Sequence, residues 1–396
     1  MPSNFDKILS DLSKRSNLLK IIQEGKKPDE IKDVMVCAFN PFFENKQNLE
    51  DLVISNLVGD YHEILILSKT DYFIFFQECL YTYKRAKLIE PELCFEGIAL
   101  FEKQMNEATG RFWSVYLFQK DLCELEDDDF LFECIEKIGE LCEGIAKPFL
   151  KSLFFQVKIS IGEKPDFKKI ELMSFGKLVN ELVNKSGYPE LFCPRPKKVR
   201  LHDWRNISYH HSATIKDSII TCTYGEENQK VIKLSKRELV QTCENIFLIF
   251  KTIKLALKIF AIDNIREIKK FEKHWVDASI RKEIEFQELA LAMMSQGFEI
   301  SKFDFNKNET SVKVIDVTDV EKENIIIRVA HSSQFLILFW LFTKSDVIKI
   351  EYQNKKHLFL ISVAGSDCQN AHDGVLASPD FITKINIVDF VTGQVI

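Results

Sequence analysis

The clearest hydrophobic pattern in the chain begins at residue 235 and predicts one long helix. Ser235 and Glu238 form a capping-box sequence, in which each side chain can accept a hydrogen bond from the backbone of the other residue. Seven apolar residues then recur at alternating spacings of four and three: Leu239, Cys243, Ile246, Phe250, Ile253, Leu257 and Phe260. This spacing places them on one face of a helix. Because such a face must be buried against partners, the pattern predicts a bundle of helices, such as a four-helix bundle.

Other stretches with helical spacing of apolar residues lie upstream. The predicted helices cover residues 3–24, 48–67, 71–89, 96–118 and 129–145. Asp71 stands where an N-cap is expected, Gly110 is expected to break the fourth helix, and Pro148 to end or kink the fifth. The buried stripe of the fifth helix is predicted to be Phe132, Ile135, Ile138 and Leu141. A sixth helix is predicted to begin after Ser174 as its cap and to stop at Gly187.

The C-terminal part of the chain has a different pattern. Residues 219–224 and 230–234 alternate apolar and polar residues around Gly225, which predicts a β-hairpin between helices. Beyond about residue 275, a helix at 285–294 is followed by predicted strands at 298–305, 311–317, 324–329, 347–352, 357–363 and 382–391. We therefore expect a mainly α protein with a C-terminal α+β domain. Its three regions are a helical N-terminal region at 1–125, a helical bundle with an inserted hairpin at 126–272, and the α+β domain at 273–396.

Composition narrows the classes of protein that fit this organisation. Of the 396 residues, 46% are hydrophobic and 28% are charged, so a sizeable core is expected. The net charge of −6 argues against a protein that coats nucleic acid non-specifically, although a local basic site is compatible with it. The ten cysteines contain no C-x2-C pair, which favours reduced thiols in a cytoplasmic protein. The most apolar run, at 335–342, is too short to span a bilayer, and we expect no membrane association.

Residues 201–211 (Leu-His-Asp-Trp-Arg-Asn-Ile-Ser-Tyr-His-His) place an arginine, an amide and two histidines between predicted helices. Each residue of a helix turns by about 100°. Arg205, Asn206, Tyr209 and His210 would therefore fan over one side, and Trp204, Ile207 and His211 would fall on the other. One face can be anchored in a core while the other presents a cation, an amide and an imidazole.

This pattern resembles the R-x4-6-H motif of HEPN domains, in which a polar residue often follows the arginine. The flanking helices, after Ser174 and after Ser235, also resemble those of the family, and the resemblance covers roughly residues 172–260. It implies a HEPN-like four-helix bundle, preceded here by additional N-terminal helices, and a metal-independent endoribonuclease that acts as a homodimer. The implied products are a 2′,3′-cyclic phosphate and a 5′-hydroxyl. Such enzymes commonly serve as toxins or in antiviral defence.

The residue types suit this chemistry. His210 can act as a general base or acid because imidazole titrates near neutrality. Arg205 can offer a forked cation to the phosphate, and Asn206 can orient the imidazole of His210 or bind the phosphate. One helix supplies one imidazole at this place, whereas in-line cleavage favours two, which a two-fold dimer provides. His211 also fits the motif spacing. The helical wheel favours His210, provided that the helix continues through residue 210.

RNA is the expected partner, and its binding residues are predicted beside the motif. Lys197, Lys198 and Arg200 lie in a Pro-rich basic connection and could hold the RNA backbone, although a solvated loop is the simpler reading. Tyr209 could stack on a base or could pack at the edge of a bundle. The resemblance implies that no metal and no cofactor are needed. The sequence contains no H-E-x-x-H, Walker A, G-x-G-x-x-G or G-x-S-x-G motif, which argues against nucleotide-driven or serine-hydrolase chemistry.

Three alternatives remain open at this stage. The bundle could be a non-catalytic HEPN-like dimerisation or RNA-binding scaffold. Cys368 and His372 could form a thiol site, although a polar loop between strands is expected at 366–373. A mixed aromatic and basic segment at 81–85 could touch nucleic acid, but a solvated helix end is the simpler interpretation. His202, one turn before Arg205, is expected to be a surface group.

Overall fold

The structure is a computed structural model that describes residues 3–15, 20–22, 24, 27–117, 122, 125–225, 228–274, 281–318, 325–390 and 392–395. The chain divides into two compact units. The first, called the sheet unit, contains Met1–Phe39, Glu50–His62 and Arg281–Ile396, and the second, called the helical unit, contains Asn40–Leu49 and Glu63–Ile280. This grouping differs from the three predicted regions, which remain a prediction about domains.

Helices make up most of the described chain before residue 275. In chain order they are α1 Asn4–Arg15, α2 Pro28–Phe39, α3 Lys46–Asn56, α4 Val58–Leu67, α5 Tyr72–Ile89, α6 Pro91–Leu117, α7 Asp127–Gly139, α8 Lys147–Ser160, α9 Phe167–Glu171, α10 Phe175–Lys185, α11 Leu201–Tyr209, α12 Lys236–Asp263 and α13 Ile265–Ile268. Short 3-10 helices cover Asn40–Phe42, Pro189–Phe192 and Lys269–His274, and Glu140–Ala146 is a π-helix. The prediction of a mainly α chain is confirmed at this level.

The core of the helical unit is built around α12. Its capping box is formed as predicted, since the Ser235 side chain accepts from the Glu238 N–H and the Glu238 carboxylate accepts from the Ser235 N–H. All seven residues of its predicted stripe are buried. Helix α12 packs on α5, α7 and α8. Burying one apolar face against several helices is what stabilises so long a helix.

Three local expectations in this unit were wrong. Asp71 makes no capping hydrogen bond, because its carboxylate pairs with Arg195 instead. Helix α6 continues through Gly110, where a cost of about 1 kcal/mol relative to alanine is small beside the packing of a 27-residue helix. Phe132 is exposed, whereas Phe130, Cys134, Ile135 and Ile138 form the buried face of α7.

The helix does not end at Pro148. Helix α7 continues through the π-helix Glu140–Ala146 directly into α8. Pro148 has no N–H to donate to the preceding turn, and it follows directly after the π-helix. The wider turn before it is marked by the hydrogen bond from the Lys147 N–H to the Cys142 carbonyl. The consequence is a local change in helix register that places Glu143 beside α11.

A small antiparallel sheet joins α11 to α12, with strands β1 Ala213–Lys216, β2 Ile219–Tyr224 and β3 Lys230–Ser235 in the order β1-β2-β3. The predicted hairpin is therefore confirmed as β2 and β3, and β1 is an additional strand. Asp217 and Ser218 both have positive φ in the turn between β1 and β2, as a two-residue type I′ turn requires.

The sheet unit contains the five-stranded sheet of the C-terminal region. Its strands are β4 Phe298–Phe305, β5 Glu309–Asp316, β6 Val347–Gln353, β7 Leu358–Ala364 and β8 Asn386–Asp389, in that order across the sheet. Strands β5 and β6 are parallel and the other pairs are antiparallel. The helices are α14 Lys282–Ser295, α15 Ile325–Ser333, α16 Phe335–Thr343, α17 Gly365–His372 and α18 Ser378–Ile382. A mixed sheet with helices confirms the α+β prediction.

Two predicted elements of the sheet unit were wrong. Of the strand predicted at 324–329, the described residues 325–329 lie in α15, because Ile325 and Val329 are buried one helical turn apart. The loop predicted at 366–373 is helix α17, in which Cys368 is buried. The run at 335–342 is helical, and β8 is shorter than the strand predicted at 382–391.

The N-terminal helix is part of the sheet unit. Phe5 of α1 makes edge-to-face contacts with Phe286 and Phe303, whose ring centroids lie 5.0 and 5.6 Å away. It also contacts Phe305 and Phe342. Such ring pairs add to the free energy gained from burial alone, so the first helix is fixed on residues nearly the whole chain length away.

Among the described residues, one stretch is long and apolar enough to be tested as a membrane span, at 325–343. It consists of α15 and α16, which are separated at Gln334, and half of the window is buried inside the protein. The core helices of proteins outside membranes have the same composition, and this stretch is therefore weak evidence for a membrane segment.

Candidate functional site

Helix α11 carries the predicted site, and its apolar side anchors it in the helical unit. Trp204 and Ile207 are completely buried, as the helical wheel predicted. Helix α11 packs on α7 at Gly139, where a methyl group would collide with the Oγ of Ser208. The close approach that this glycine allows brings the polar side of α11 against the π-helix.

Arg205 is held in one position by three neighbours. Its Nε donates to a carboxylate oxygen of Glu143 at 3.2 Å, and its Nη1 donates to the side-chain oxygen of Asn206 at 3.2 Å. The centre of the guanidinium lies 4.3 Å from the centroid of the Tyr209 ring, which gives a cation–π contact. The side chain is still 29% exposed, so one edge of the guanidinium faces solvent.

Glu143 is the functional neighbour that sequence reasoning missed. It belongs to the π-helix and lies 62 residues from Arg205 in the chain. Its other carboxylate oxygen pairs with Lys147, so one anion is shared by two cations. The cluster of Glu143, Lys147 and Arg205 therefore keeps a net positive charge. No spacing rule in the sequence could indicate this contact, because it depends on the wider turn before Pro148.

A buried lysine lies behind this cluster. The Nζ of Lys151 donates to the backbone carbonyl of Glu171. Burial lowers the pKa of Lys151, and the nearby charge of Lys147 lowers it further. Both effects penalise the ammonium form.

The two histidines lie just beyond the helix. Helix α11 ends at Tyr209, His210 is its C-cap, and His211 has a positive φ of 48°. Both side chains are exposed. The helical-wheel preference for His210 over His211 depended on a helix that continued through residue 210, so it does not apply. The predicted placement of His211 beside Trp204 and Ile207 was wrong, because the left-handed residue turns the chain outward.

Asn206 has a different partner from the one expected. Its side-chain oxygen accepts from Arg205, so the amide orients the guanidinium. Neither ring of His210 and His211 has a hydrogen bond to any residue that the structure describes. Arg205, Asn206 and Tyr209 are therefore brought together by the fold, whereas the imidazoles extend into solvent beside them.

The predicted RNA-binding bases are mostly engaged within the chain. Lys197 pairs with Glu238 at 2.8 Å, and Arg200 donates to the side chain of Asn180 at 2.9 Å. Lys198 is exposed, has a positive φ, and makes no ion pair with a described residue. Tyr209 is half exposed, with its ring against Arg205. All four residues keep exposed surface that a ligand could contact, and of the three bases only Lys198 has no side-chain partner among the described residues.

The pair between Lys197 and Glu238 predicts a pH-dependent contribution to stability. The hydrogen bond from Lys197, followed by that from the Ser235 N–H, holds the pKa of Glu238 below its usual 4.5. A carboxyl group whose pKa is lower in the folded than in the unfolded chain stabilises the fold at pH values above its pKa in the unfolded chain. This stabilisation is lost as the pH falls through its pKa in the folded chain. We expect Glu238→Gln to cost about 1 kcal/mol or less at pH 7, because the pair is partly exposed. The difference from the wild type should disappear in urea titrations carried out well below pH 4.5.

The matched control for this measurement is Lys197→Met, which removes the same ion pair and leaves the cap formed by Ser235. Glutamine at 238 can still accept from the Ser235 N–H, so neither variant removes the capping box. A difference between wild type and Glu238→Gln that is constant with pH would contradict the assignment.

His202 was expected at the surface but is largely buried. Its Nε2 lies 3.4 Å from a carboxylate oxygen of Asp203, and its Nδ1 has no partner among the described residues. Burial lowers the pKa of His202, against the opposing effect of Asp203. The neutral ring is therefore favoured, as expected for a histidine packed at the base of α11.

The alternative thiol site does not have the properties of a nucleophile. Cys368 is buried within α17, and burial raises the pKa of its thiol to about 12. The attacking species in such chemistry is the thiolate, which is scarce at neutral pH under these conditions.

Among the described residues, no three His, Cys, Asp or Glu side chains are grouped to hold a metal ion.

No protein-family model, no curated protein and no solved structure matches this chain.

Proposed function

We propose that the chain is a metal-independent endoribonuclease of HEPN type, that its helical unit is a HEPN-like bundle, and that it acts as a homodimer. The observation that supports this proposal is the group at the solvent-facing end of α11. There a partly exposed arginine is held by Glu143, Asn206 and Tyr209, five and six residues before two exposed histidines. This arrangement suits binding of a phosphodiester whose neighbouring groups exchange protons.

The reaction would use Arg205 as the phosphate-binding group. One imidazole would take the proton of the ribose 2′-hydroxyl, and the 2′-oxygen would attack the phosphorus. The bond to the 5′-oxygen would break, and a second imidazole would protonate that leaving group, giving a 2′,3′-cyclic phosphate and a 5′-hydroxyl. The guanidinium would stabilise the negative charge that develops on the phosphoryl oxygens. Either His210 or His211 fits the role of the imidazole.

The second imidazole would come from a second copy of the chain. Tyr209 is half exposed, and burial, followed by the nearby charge of Glu143 and then those of Glu140 and Glu136, raises its pKa. Phe132 is exposed one turn before Glu136 on α7. Exposed aromatic side chains such as those of Tyr209 and Phe132 are suited to a two-fold contact.

By the resemblance, the nuclease would act in the cytoplasm as a toxin or in antiviral defence. The sheet unit would then sense a trigger or restrain the nuclease. Lys198 and Tyr209 are the residues of the predicted RNA-binding set that would contact substrate, since Lys197 and Arg200 have partners within the chain.

A second function, a non-catalytic HEPN-like scaffold for dimerisation or RNA binding, is favoured by one specific observation. The Nε of Arg205 is bound to a carboxylate within its own chain. An arginine that serves only to fix α11 on the π-helix would make this same contact. The two functions differ in whether RNA is cut.

The deciding measurement is incubation of the purified full-length protein with single-stranded RNA in excess EDTA. We expect cleavage, with fragments that carry 2′,3′-cyclic phosphate and 5′-hydroxyl ends. RNA that is bound but left intact would support the scaffold. Cleavage that stops on chelation would contradict the proposed mechanism.

A further inference from the structure

Helix α5 carries an exposed apolar stripe that the proposed nuclease does not use. Ile74, Tyr81 and Leu88 are 60%, 58% and 83% exposed. They are spaced seven residues apart, so that they lie within about 40° of each other around the helix. Regular spacing of large apolar side chains over four turns is the pattern of a helix–helix contact.

Helix α5 also has a buried side, which packs within the helical unit. Its opposite side buries Phe76, Cys79, Leu80 and Tyr83 against α8 and α12, among other helices. The stripe is therefore separate from the core. Since α5 already has an apolar face that packs inside the unit, the second apolar face is available for another molecule.

Two opposite charges flank the stripe on the same side. Relative to Tyr81, Glu78 lies about 60° and Arg85 about 40° around the helix, in the same direction. Both are exposed, and neither forms an ion pair with any residue that the structure describes. By contrast, the neighbouring Lys84 and Lys87 both pair with Glu44. The charges beside the stripe are thus the ones left for an external partner.

From this arrangement we infer that the stripe binds the same stripe of a second copy of the chain, with the two α5 helices antiparallel about a two-fold axis at Tyr81. Ile74 and Leu88 are equally distant from Tyr81, so each would meet the other residue in the partner. Along the helix axis, Glu78 lies about 4.5 Å from Tyr81 toward the N-terminus, and Arg85 lies about 6 Å from Tyr81 toward the C-terminus. A two-fold axis perpendicular to both helices leaves the flank that holds Glu78 and Arg85 on the same side of the contact in both copies, but reverses the direction of the helix. Each Glu78 would therefore face an Arg85 across the contact.

A contact of this kind is self-complementary in both shape and charge, as a two-fold interface requires. A parallel arrangement in the same register would instead place this flank on opposite sides of the contact in the two copies, so that no Glu78 could face an Arg85. The α5 contact involves neither α11 nor Phe132, so it is a second interface in addition to the one proposed for the nuclease. The inference does not depend on catalysis, and its test measures self-association alone.

Charge reversal tests the pairing directly. Glu78→Arg and Arg85→Glu each place like charges across the contact, and each should weaken self-association by about ten-fold, because two-fold symmetry turns both ion pairs into like-charge pairs. The double variant Glu78→Arg, Arg85→Glu restores opposite charges, so its dissociation constant should be close to that of the wild type. Sedimentation over a range of protein concentrations measures these constants. Single variants that associate as the wild type does, or a double variant weaker than both, would overturn the inference. Both residues are exposed, so folding should be unaffected, and circular dichroism checks this.

Cysteine cross-linking identifies which surface is in contact. A residue on a two-fold axis meets its own copy, so Tyr81→Cys should form a disulfide-linked dimer under mild oxidation. Leu172→Cys is the matched control, because Leu172 is also highly exposed but lies outside the stripe. Equal cross-linking at the two positions, or none at position 81 beyond that of the wild type, would exclude the antiparallel contact.

Discussion

Replacing Arg205 with alanine is expected to lower the rate constant of RNA cleavage by about 10²–10³-fold, the effect of removing one preorganised donor from a developing oxyanion. The expectation follows from the geometry at the end of α11, where Glu143, Asn206 and Tyr209 fix the guanidinium without covering it. Arg205→Lys should recover little of the activity, because an ammonium group cannot donate to both Glu143 and a phosphate with the geometry of the fork. Initial rates in EDTA with a fluorescent RNA measure both variants.

Stability supplies the control for this variant. Arg205 and Glu143 are both partly exposed, and Glu143 keeps Lys147 when the arginine is lost. Arg205→Ala should therefore change the free energy of unfolding by about 1 kcal/mol or less. A variant that unfolds at the same urea concentration as the wild type and no longer cuts RNA separates catalysis from structure. Undiminished cleavage by a folded Arg205→Ala protein would show that the site lies elsewhere.

The histidines are tested separately, since the fold leaves the choice between them open. Loss of the general base or acid should reduce the rate by about 10²–10⁴-fold. His210→Ala and His211→Ala should thus give one strongly impaired protein and one that is much less affected. The impaired variant identifies the imidazole. Equal and small effects for both would show that neither imidazole takes part in cleavage.

The features of the fold that could be predicted from the sequence depend on short-range interactions. The capping box at Ser235 joins residues three apart, and the stripe of α12 repeats within one helix. The β2–β3 hairpin likewise follows from alternation around Gly225. In each case the pattern and the packing require the same structure, so the local signal was sufficient.

The errors arose where a distant contact decided the local structure. Residues 325–329 contain an isoleucine run typical of a strand, yet burial of Ile325 and Val329 on one side makes them a helix. Gly110 weakens α6 locally without breaking it. At the site, spacing could place Arg205 on the polar side of α11. It could not show that the π-helix would place Glu143 against it, because that contact depends on tertiary packing.

The largest expected loss of stability concerns a buried ion pair in the sheet unit. Arg328 donates from Nε and Nη2 to the two carboxylate oxygens of Asp316 at 2.9 and 3.1 Å. The two side chains are only 11% and 1% exposed. The guanidinium also donates to the carbonyl of Gln296, at 2.8 Å. Tyr352 donates its hydroxyl to the same carboxylate at 2.6 Å.

Removing the arginine alone leaves a carboxylate in the core without its cation. Arg328→Met should therefore lower the free energy of unfolding of the sheet unit by about 3–5 kcal/mol, as measured by urea denaturation. Tyr352→Phe removes one neutral donor from the same carboxylate and is the matched control. It should cost about 1 kcal/mol. If the two variants lost equal stability, the ion pair would contribute no more than one hydrogen bond.

The double variant Asp316→Leu, Arg328→Met separates the contribution of the pair from the cost of breaking it. With both charges removed, no uncompensated ion remains in the core, so the double variant should be more stable than Arg328→Met. Arg328 also covers the ring of Phe298, with 4.0 Å between the guanidinium centre and the ring centroid, and methionine retains most of that contact. If the double variant lost as much stability as Arg328→Met and Asp316→Leu measured singly and added together, the two charges would act independently, and the predicted coupling would be wrong.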